Sequence, residues 1–461
     1  MIDRALLART AELAADHLET IGERHAGPLA GHAELRATLG GTLPSAGEPA
    51  EQVIEALARD AAPGLVASPG PRYFGFVTGG ALPAALAADW LAAAWDQNAF
   101  SAISSPAGAV VEEVACGWLL DLLGLPSESG VGLTTGAQMA NVTGLAAARG
   151  ALLTRAGWDV EERGLSGAPP LRVLAGEEAH VTVWRALRLL GFGRAAVEVV
   201  PVDAQGRMRA DALAEALAAG DGATIVCAQA GNVNTGAIDP LADIVATARE
   251  HGAWVHVDGA FGLWAAASPA LAGLVAGAGD ADSWAADGHK WLNVPYDCGV
   301  VAVRDRDAHA AAMGMTASYL VRSGGAERSN SDWVPEASRR GRGFAVYAAL
   351  RSLGRDGVAE LVERCCALAA RLASIVDEAD GVEVLNDVTL NQVLLRFGAD
   401  DAVTDTVISR VQEDGTCWVG GTRWRGEAAM RVSVSNWSTT EADIDRTAGA
   451  ILAAGRAGGY V

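Results

Sequence analysis

Cysteine is scarce and scattered in this chain: Cys116, Cys227, Cys298, Cys365, Cys366 and Cys417. None forms a Cys-x-x-Cys pair, so the spacing of a structural zinc site is missing and no metal is expected. Cysteines placed this way read as small buried hydrophobes of a reducing compartment. No run of 18 apolar residues occurs, and the first 24 residues carry acidic side chains where a signal peptide has its apolar core. A soluble cytoplasmic protein that does not enter a membrane is expected. Basic residues are outnumbered, giving a net charge of −21. That balance argues against a general nucleic-acid binder, because a phosphate backbone selects for clustered Lys and Arg.

Half of the 461 residues are hydrophobic and 20% are charged, the composition of a globular chain with a large core. Residues 1–65 read as an N-terminal helical segment, broken at Gly27-Pro28 and Leu43-Pro44. Residues 66–320 read as a large domain. Residues 321–343, polar and without periodicity, read as a mobile loop. Residues 344–461 read as a smaller C-terminal domain.

Within the large domain, short β-rich runs occur at Leu171–Leu174, Val197–Val202, Thr224–Ala228, Trp254–Asp258, Ser283–Ala286 and Gly299–Val303. Helical stretches lie between most of them: Ala137–Leu152, Val181–Leu190, Asp211–Ala218 and Pro240–His251. This alternation predicts an α/β fold with a mainly parallel sheet covered on both faces. Ligands of such sheets gather at the carboxyl ends of the strands. The smaller domain predicts an α+β unit. Its long helices fall near Gly343–Gly354 and Val358–Glu378, and its strands near Val393–Phe397, Thr416–Val419 and Met430–Val434.

Two strand ends carry chemistry. His256-Val257-Asp258-Gly259-Ala260 offers a carboxylate, and Asp287-Gly288-His289-Lys290-Trp291-Leu292 offers an amine. Taken singly, the lysine is an ordinary surface residue and the aspartate an ordinary helix cap or turn residue. Together they are what pyridoxal phosphate requires: a Schiff-base lysine and an acidic partner for the pyridinium nitrogen. Thr134-Thr135-Gly136-Ala137-Gln138 opens a helix with small residues, which suits a phosphate and also suits a plain capping turn. It lacks the lysine of a P-loop. His180 opens another helix. Its imidazole could stack on a ring, or serve only as a cap. Asn232 and Asn234 sit in a Gly-Asn turn at a third strand end.

The set resembles the group II pyridoxal-phosphate-dependent amino-acid decarboxylases, which include aromatic-amino-acid, histidine and glutamate decarboxylases. The resemblance rests on six pieces in family order. They are Ser104-Ser105-Pro106-Ala107, Thr135 to Asn141, Glu178-Ala179-His180, His256 to Ala260, Asp287 to Leu292 and Tyr319-Leu320. They span about residues 65 to 440. The resemblance implies the type I fold of pyridoxal-phosphate-dependent transferases and a homodimer with shared active sites. It implies decarboxylation of an L-amino acid to the amine and carbon dioxide. Lys290 would anchor the cofactor, Asp258 would pair with its ring nitrogen, and His180 would stack on the ring and help place the substrate carboxylate. Gly136, Ala137 and Gln138 would hold the phosphate, with Asp287 or His289 nearby. Ala260 would pack under the ring, and Asn232 or Asn234 would contact the cofactor where relatives often place threonine.

One departure bears on the outcome. Relatives commonly carry a proton-donating tyrosine on the mobile loop, and Ser329-Asn330-Ser331-Asp332-Trp333-Val334-Pro335 has none; the position falls near Asn330. Either another acid, such as His180 or water, replaces it, or the reaction ends differently, as an aldehyde-forming oxidative deamination or a carbon–carbon lyase reaction. Tyr73, Phe74, Phe76, Trp95 and Phe100 could shape an aromatic pocket or could equally be core. Arg72 is the one basic residue of 70–110 that could bind a second substrate carboxylate.

Overall fold

The computed structural model describes residues 3–315 and 329–461. The Tyr319-Leu320 pair and the first part of the expected 321–343 loop lie outside the described residues. Three N-terminal helices, α1 (Arg4–Thr20), α2 (His32–Leu39) and α3 (Ala50–Ala61), bury none of their residues fully. Helices α4 (Pro83–Trp95) and α5 (Pro106–Leu122) follow, each opened by a proline whose fixed φ suits the first turn.

Strands then alternate with helices. The order is β1 (Gly130–Thr134), α6 (Ala137–Arg155), the single turn α7 (Val160–Arg163), β2 (Leu171–Gly176), α8 (Val181–Leu189), β3 (Val197–Val200), α9 (Ala210–Ala218), β4 (Ala223–Gln229), α10 (Leu241–Glu250), β5 (Trp254–Asp258), β6 (Ser283–Asp287), β7 (Gly299–Val303) and α11 (Arg306–Met313). The seven strands form one sheet in the order β1-β7-β6-β5-β4-β2-β3. Neighbours from β3 to β6 pair in parallel; β7 runs antiparallel to both β6 and β1. The expected mainly parallel sheet is present, with β7 as its one reversed strand. Two reversals leave β1 pointing the same way as β6. The carboxyl ends of β1, β2, β4, β5 and β6 therefore share one edge of the sheet.

Strands β1, β5, β6 and β7 are buried along their whole length, as a sheet covered on both faces demands. Side chains alternate between two apolar layers. Val173, Ala175, Ile225 and Cys227 pack with α6 and α8; Leu174, Val226, Val255 and Val257 belong to the larger core on the other face.

The remaining chain holds α12 (Gly343–Asp377), β8 (Val382–Val384), β9 (Gln392–Phe397), α13 (Asp401–Asp414), β10 (Gly420–Trp424), β11 (Glu427–Ser433) and α14 (Glu441–Arg456). The two helices expected around Gly354 are present within α12 and meet at a break, because Gly354 adopts the non-helical φ of 64° between them. The strand expected at Thr416–Val419 lies instead at β10 (Gly420–Trp424). Cys417 and Val419 are buried, and Trp418 leaves the ladder to bridge Tyr73 and stack on its ring at 5.0 Å. Strands β10-β11-β9-β8 form an antiparallel sheet. Among the described residues no helix is long and apolar enough to cross a membrane.

Candidate active site

The shared strand edge brings together most of the residues singled out above. Asp258 ends β5 and is 4% exposed. Its Oδ2 accepts a hydrogen bond from Asn141 Nδ2 at 3.2 Å, and its Oδ1 accepts from the Ala260 amide at 3.2 Å. Asp287 ends β6. Its Oδ1 accepts the Ala137 amide of the first turn of α6 at 2.6 Å, and its Oδ2 pairs with Lys290 Nζ at 2.9 Å. An anionic oxygen thus already sits at the α6 N-terminus, where the free N–H groups and the helix dipole favour it. Lys290 is the only lysine in the chain, a signal readable in the sequence itself.

His289 is held by two neighbours. Its Nδ1 accepts the Cys298 amide at 3.0 Å, and its Nε2 faces Asp287 Oδ1 at 3.4 Å. Burial lowers its pKa from the ordinary histidine range, and Asp287 opposes that. His180 caps α8, with Nδ1 2.7 Å from Thr182 Oγ1. Burial lowers its pKa as well; Asp258 raises it, while Lys290 and Arg431 lower it further. These four charged or polar groups therefore share one electrostatic environment.

The backbone fits the same purpose. Gly299 lets β7 pass directly against Gly136, where a Cβ would overlap the Gly136 backbone. Gly79 packs on the Lys290 carbonyl in the same way. Asn293 locks this approach, because its Oδ1 accepts the Gly80 amide at 2.7 Å and the Trp437 amide at 2.9 Å. Phe76 and Val77 precede this contact with φ values of 55° and 56°. For a β-branched valine that conformation is strained, and strain of this kind gathers at functional loops.

Other expected residues are placed differently. Gln138 ties α6 to the first turn of α8, donating through Nε2 to Thr182 O at 3.2 Å. Asn232 Oδ1 accepts the amides of Asn234 and Thr235, and Asn234 Oδ1 accepts the Thr422 hydroxyl at 2.9 Å. Both side chains hold a turn against β10. Phe74 is 1% exposed and belongs to the core, and Trp95 packs edge-on against Phe344 at 5.1 Å. Arg72 is buried and held by Asp443 at 2.9 Å, by Thr416 O at 2.8 Å and by Gly22 O, so it has no free face for a ligand.

Three residues of the site escaped the sequence reading. Asn141 lies inside α6, where an asparagine offers no periodic signal. Tyr296 lies tilted against His289 with centroids 4.4 Å apart, and its hydroxyl lies within the field of Lys290 and Asp287. Arg431, on β11, donates to Val233 O at 3.3 Å and leaves its Nε buried without a hydrogen-bond partner among the described residues. Burial lowers its pKa. Its signal was a lone cation inside Ala-Ala-Met-Arg-Val-Ser-Val.

The edge therefore offers a primary amine, a buried carboxylate, a helix N-terminus that accepts anionic oxygen, an imidazole and a guanidinium. This donor set fits pyridoxal phosphate. The chain matches the pyridoxal-dependent decarboxylase conserved domain over residues 33–397. It is 27% identical over 464 residues to tryptophan decarboxylase 1 of Oryza sativa subsp. japonica, covering 94% of this chain and 90% of that one. It is 25% identical over 449 residues to 4-hydroxyphenylacetaldehyde synthase of Rhodiola rosea, covering 93% and 90%. The crystal structure of Oryza sativa TDC with PLP and tryptamine superposes with a TM-score of 0.91 at 25% identity, over 98% of this chain and 97% of that one. With domain, fold and donor set in agreement, this chain belongs to the pyridoxal-dependent decarboxylase family, a group of pyridoxal-phosphate enzymes that remove the carboxylate of amino acids.

Proposed function

We propose that this pyridoxal-phosphate-dependent amino-acid decarboxylase acts on an aromatic or large apolar L-amino acid. The observation that carries the substrate class is the buried ion pair between Arg72 and Asp443. It removes the one cation of the 70–110 region that could receive a second carboxylate. The mouth of the site is aromatic instead, with Phe76 tilted on Trp418 at 5.4 Å and Tyr296 tilted on His289 at 4.4 Å. The Oryza sativa relative, named for tryptophan, supports the same class.

When bound, pyridoxal phosphate supplies an aldehyde for the substrate amine and a ring that withdraws electrons from the bond to be broken. The chain supplies the rest. Lys290 Nζ would hold the aldehyde. Asp258 would pair with the ring nitrogen and favour its protonated form; a charge-assisted hydrogen bond of this kind contributes roughly 1.5–3 kcal/mol. His180 and Ala260 would line the ring. Gly136, Ala137 and Gln138 offer the α6 N-terminus to the phosphate, and Asp287 and His289 line the same end. Asn232 and Asn234 stiffen the neighbouring turn and take no direct part. Arg431 would receive the substrate carboxylate through its buried guanidinium. Tyr296, 62% exposed, presents Oη at the mouth beside Thr78.

A homodimer with shared sites, a cytoplasmic location and the division at residues 65, 320 and 343 complete this reading. The N-terminal helices support the dimer, since Leu7, Leu18, Leu39, Val53 and Leu57 are all exposed. Incubation with tryptophan, tyrosine, phenylalanine and glutamate, with carbon dioxide and amine measured by mass spectrometry, tests the substrate class. Amine from an aromatic substrate and none from glutamate is expected; the reverse order overturns it.

The loop without a tyrosine favours a second reading, an aldehyde-forming reaction like that named for the Rhodiola rosea relative. There an amino acid, dioxygen and water give aldehyde, carbon dioxide, ammonia and hydrogen peroxide. Oxygen uptake matched by ammonia separates it from simple amine release.

A further inference from the structure

Beneath Asp258 lies a row of polar side chains that the reaction does not touch. Trp254, Ser283, His256 and Asn141 are each 2% exposed or less. Their hydrogen bonds admit one direction only. Trp254 Nε1–H can only donate, and it reaches Ser283 Oγ at 2.9 Å. Its other partner, His256 Nδ1 at 2.8 Å, takes the Ser283 proton because the opposite ring nitrogen, Nε2, faces the Asn141 carbonyl, which can only accept. Full burial pushes the His256 pKa down to about 3, so the ring is neutral at physiological pH. With Nδ1 accepting, its single proton sits on Nε2, which is 2.9 Å from Asn141 Oδ1.

The Asn141 amide cannot be reversed. A carbonyl in place of Nδ2 would face the Asp258 carboxylate oxygen at 3.2 Å with no proton between them. Asn141 Nδ2 thus gives one proton to Asp258 and directs its other toward Thr182 Oγ1 at 3.4 Å. Thr182 Oγ1 lies 2.7 Å from His180 Nδ1, and the direction between them follows from the Thr182 amide, which can only donate. The Thr182 amide also points at that nitrogen, at 3.4 Å. His180 Nδ1 is an acceptor on both counts.

We propose that Asn141 is a positioning residue that sets the proton placement of two site groups at once, holding Asp258 as an acceptor carboxylate and, through Thr182, holding His180 with its proton on Nε2. This deepens the reading that Asp258 faces the ring nitrogen and His180 the ring. A carboxylate that receives a hydrogen bond is a weaker base, so the proton it shares with the ring nitrogen stays on the ring. A neutral His180 then presents a donor into the site.

The test uses histidine labelled with 15N, in the protein with and without cofactor, and pyridoxal phosphate labelled at the ring nitrogen. The His180 signals are assigned by their loss in His180→Gln. In the wild type, His180 and His256 are expected to show protonated Nε2 and bare Nδ1, and the ring nitrogen is expected to be protonated. Asn141→Leu should give His180 a mixture of both neutral forms and move the ring-nitrogen shift toward the unprotonated value. Thr182→Val should free the His180 tautomer and leave the ring-nitrogen shift in place. His180 found with its proton on Nδ1 in the wild type overturns the proposal, as does a folded Asn141→Leu variant in which neither signal moves. If Asn141→Leu does not fold, the wild-type tautomers and Thr182→Val decide. A bare ring nitrogen in the wild type sinks the Asp258 assignment itself, and the His180 tautomer, read without cofactor, separates that failure from this one.

Discussion

The floor of the site and its mouth are built on opposite plans. The floor is strand and helix: Asn141, His256 and Asp258 are at most 4% exposed, and their polar atoms are tied to one another. The mouth is loop: Phe76 is 65% exposed and Tyr296 62%, and the backbone of Phe76 and Val77 is left-handed. A buried polar network is costly when half satisfied, so the floor tolerates few changes and, on the proposed reading, would hold the cofactor in one way. The mouth lacks that constraint, and a loop can change its side chains without disturbing the sheet. The difference assigns the cofactor's chemistry to the floor and the choice of substrate and product to the mouth.

Changes at the floor should alter the cofactor's spectrum, and changes at the mouth should spare it. The largest effect is expected for Lys290→Ala, which should remove the visible absorption band and turnover together, since the chain has no other lysine to take over. Asp258→Ala should lower kcat/KM by roughly 10²–10³-fold, the range seen when a preorganised charge partner is lost, with an altered spectrum. Arg431→Met should raise KM by about tenfold or more, the loss of a charge-assisted hydrogen bond, with the spectrum unchanged. Tyr296→Phe should shift the products away from amine by a smaller factor, again without a spectral change. A bleached Tyr296→Phe enzyme would erase the boundary between floor and mouth.

The smallest effect concerns stability. His256 is neutral in the fold down to about pH 3, while an unfolded chain takes up the proton near pH 6.5. Its depressed pKa therefore leaves stability intact above pH 6.5 and erodes it as pH falls from there toward 3, by about 1.4 kcal/mol per pH unit. His256→Gln cannot titrate, so denaturant unfolding at a series of pH values should show a shallower acid slope than the wild type.

Much of the floor was legible in the sequence. Trp254–Asp258, apolar but for His256 and the terminal Asp258, and the apolar run Gly299–Val303 read as strands, and the observed strands match them residue for residue. Lys290 and Asp258 stood out because charge follows such runs abruptly. Less was legible where one residue type has two uses. Trp418 looks like a strand residue yet leaves the ladder to stack on Tyr73, while the Gly-Gly pair that opens β10 looks like a turn. Asn141 and Arg431 are polar residues inside ordinary elements, and periodicity gives the face they occupy without naming what lies opposite. Arg72 was readable as a possible anion ligand; only its contact with Asp443, 371 residues away, removes it.

Reductive trapping tests the central claim most directly. The enzyme loaded with pyridoxal phosphate is treated with borohydride, digested and mapped by mass spectrometry. The account predicts one cofactor per chain, on the peptide that carries Lys290, with the label abolished in Lys290→Ala. A cofactor that binds and colours the protein without being trapped on that peptide would contradict it.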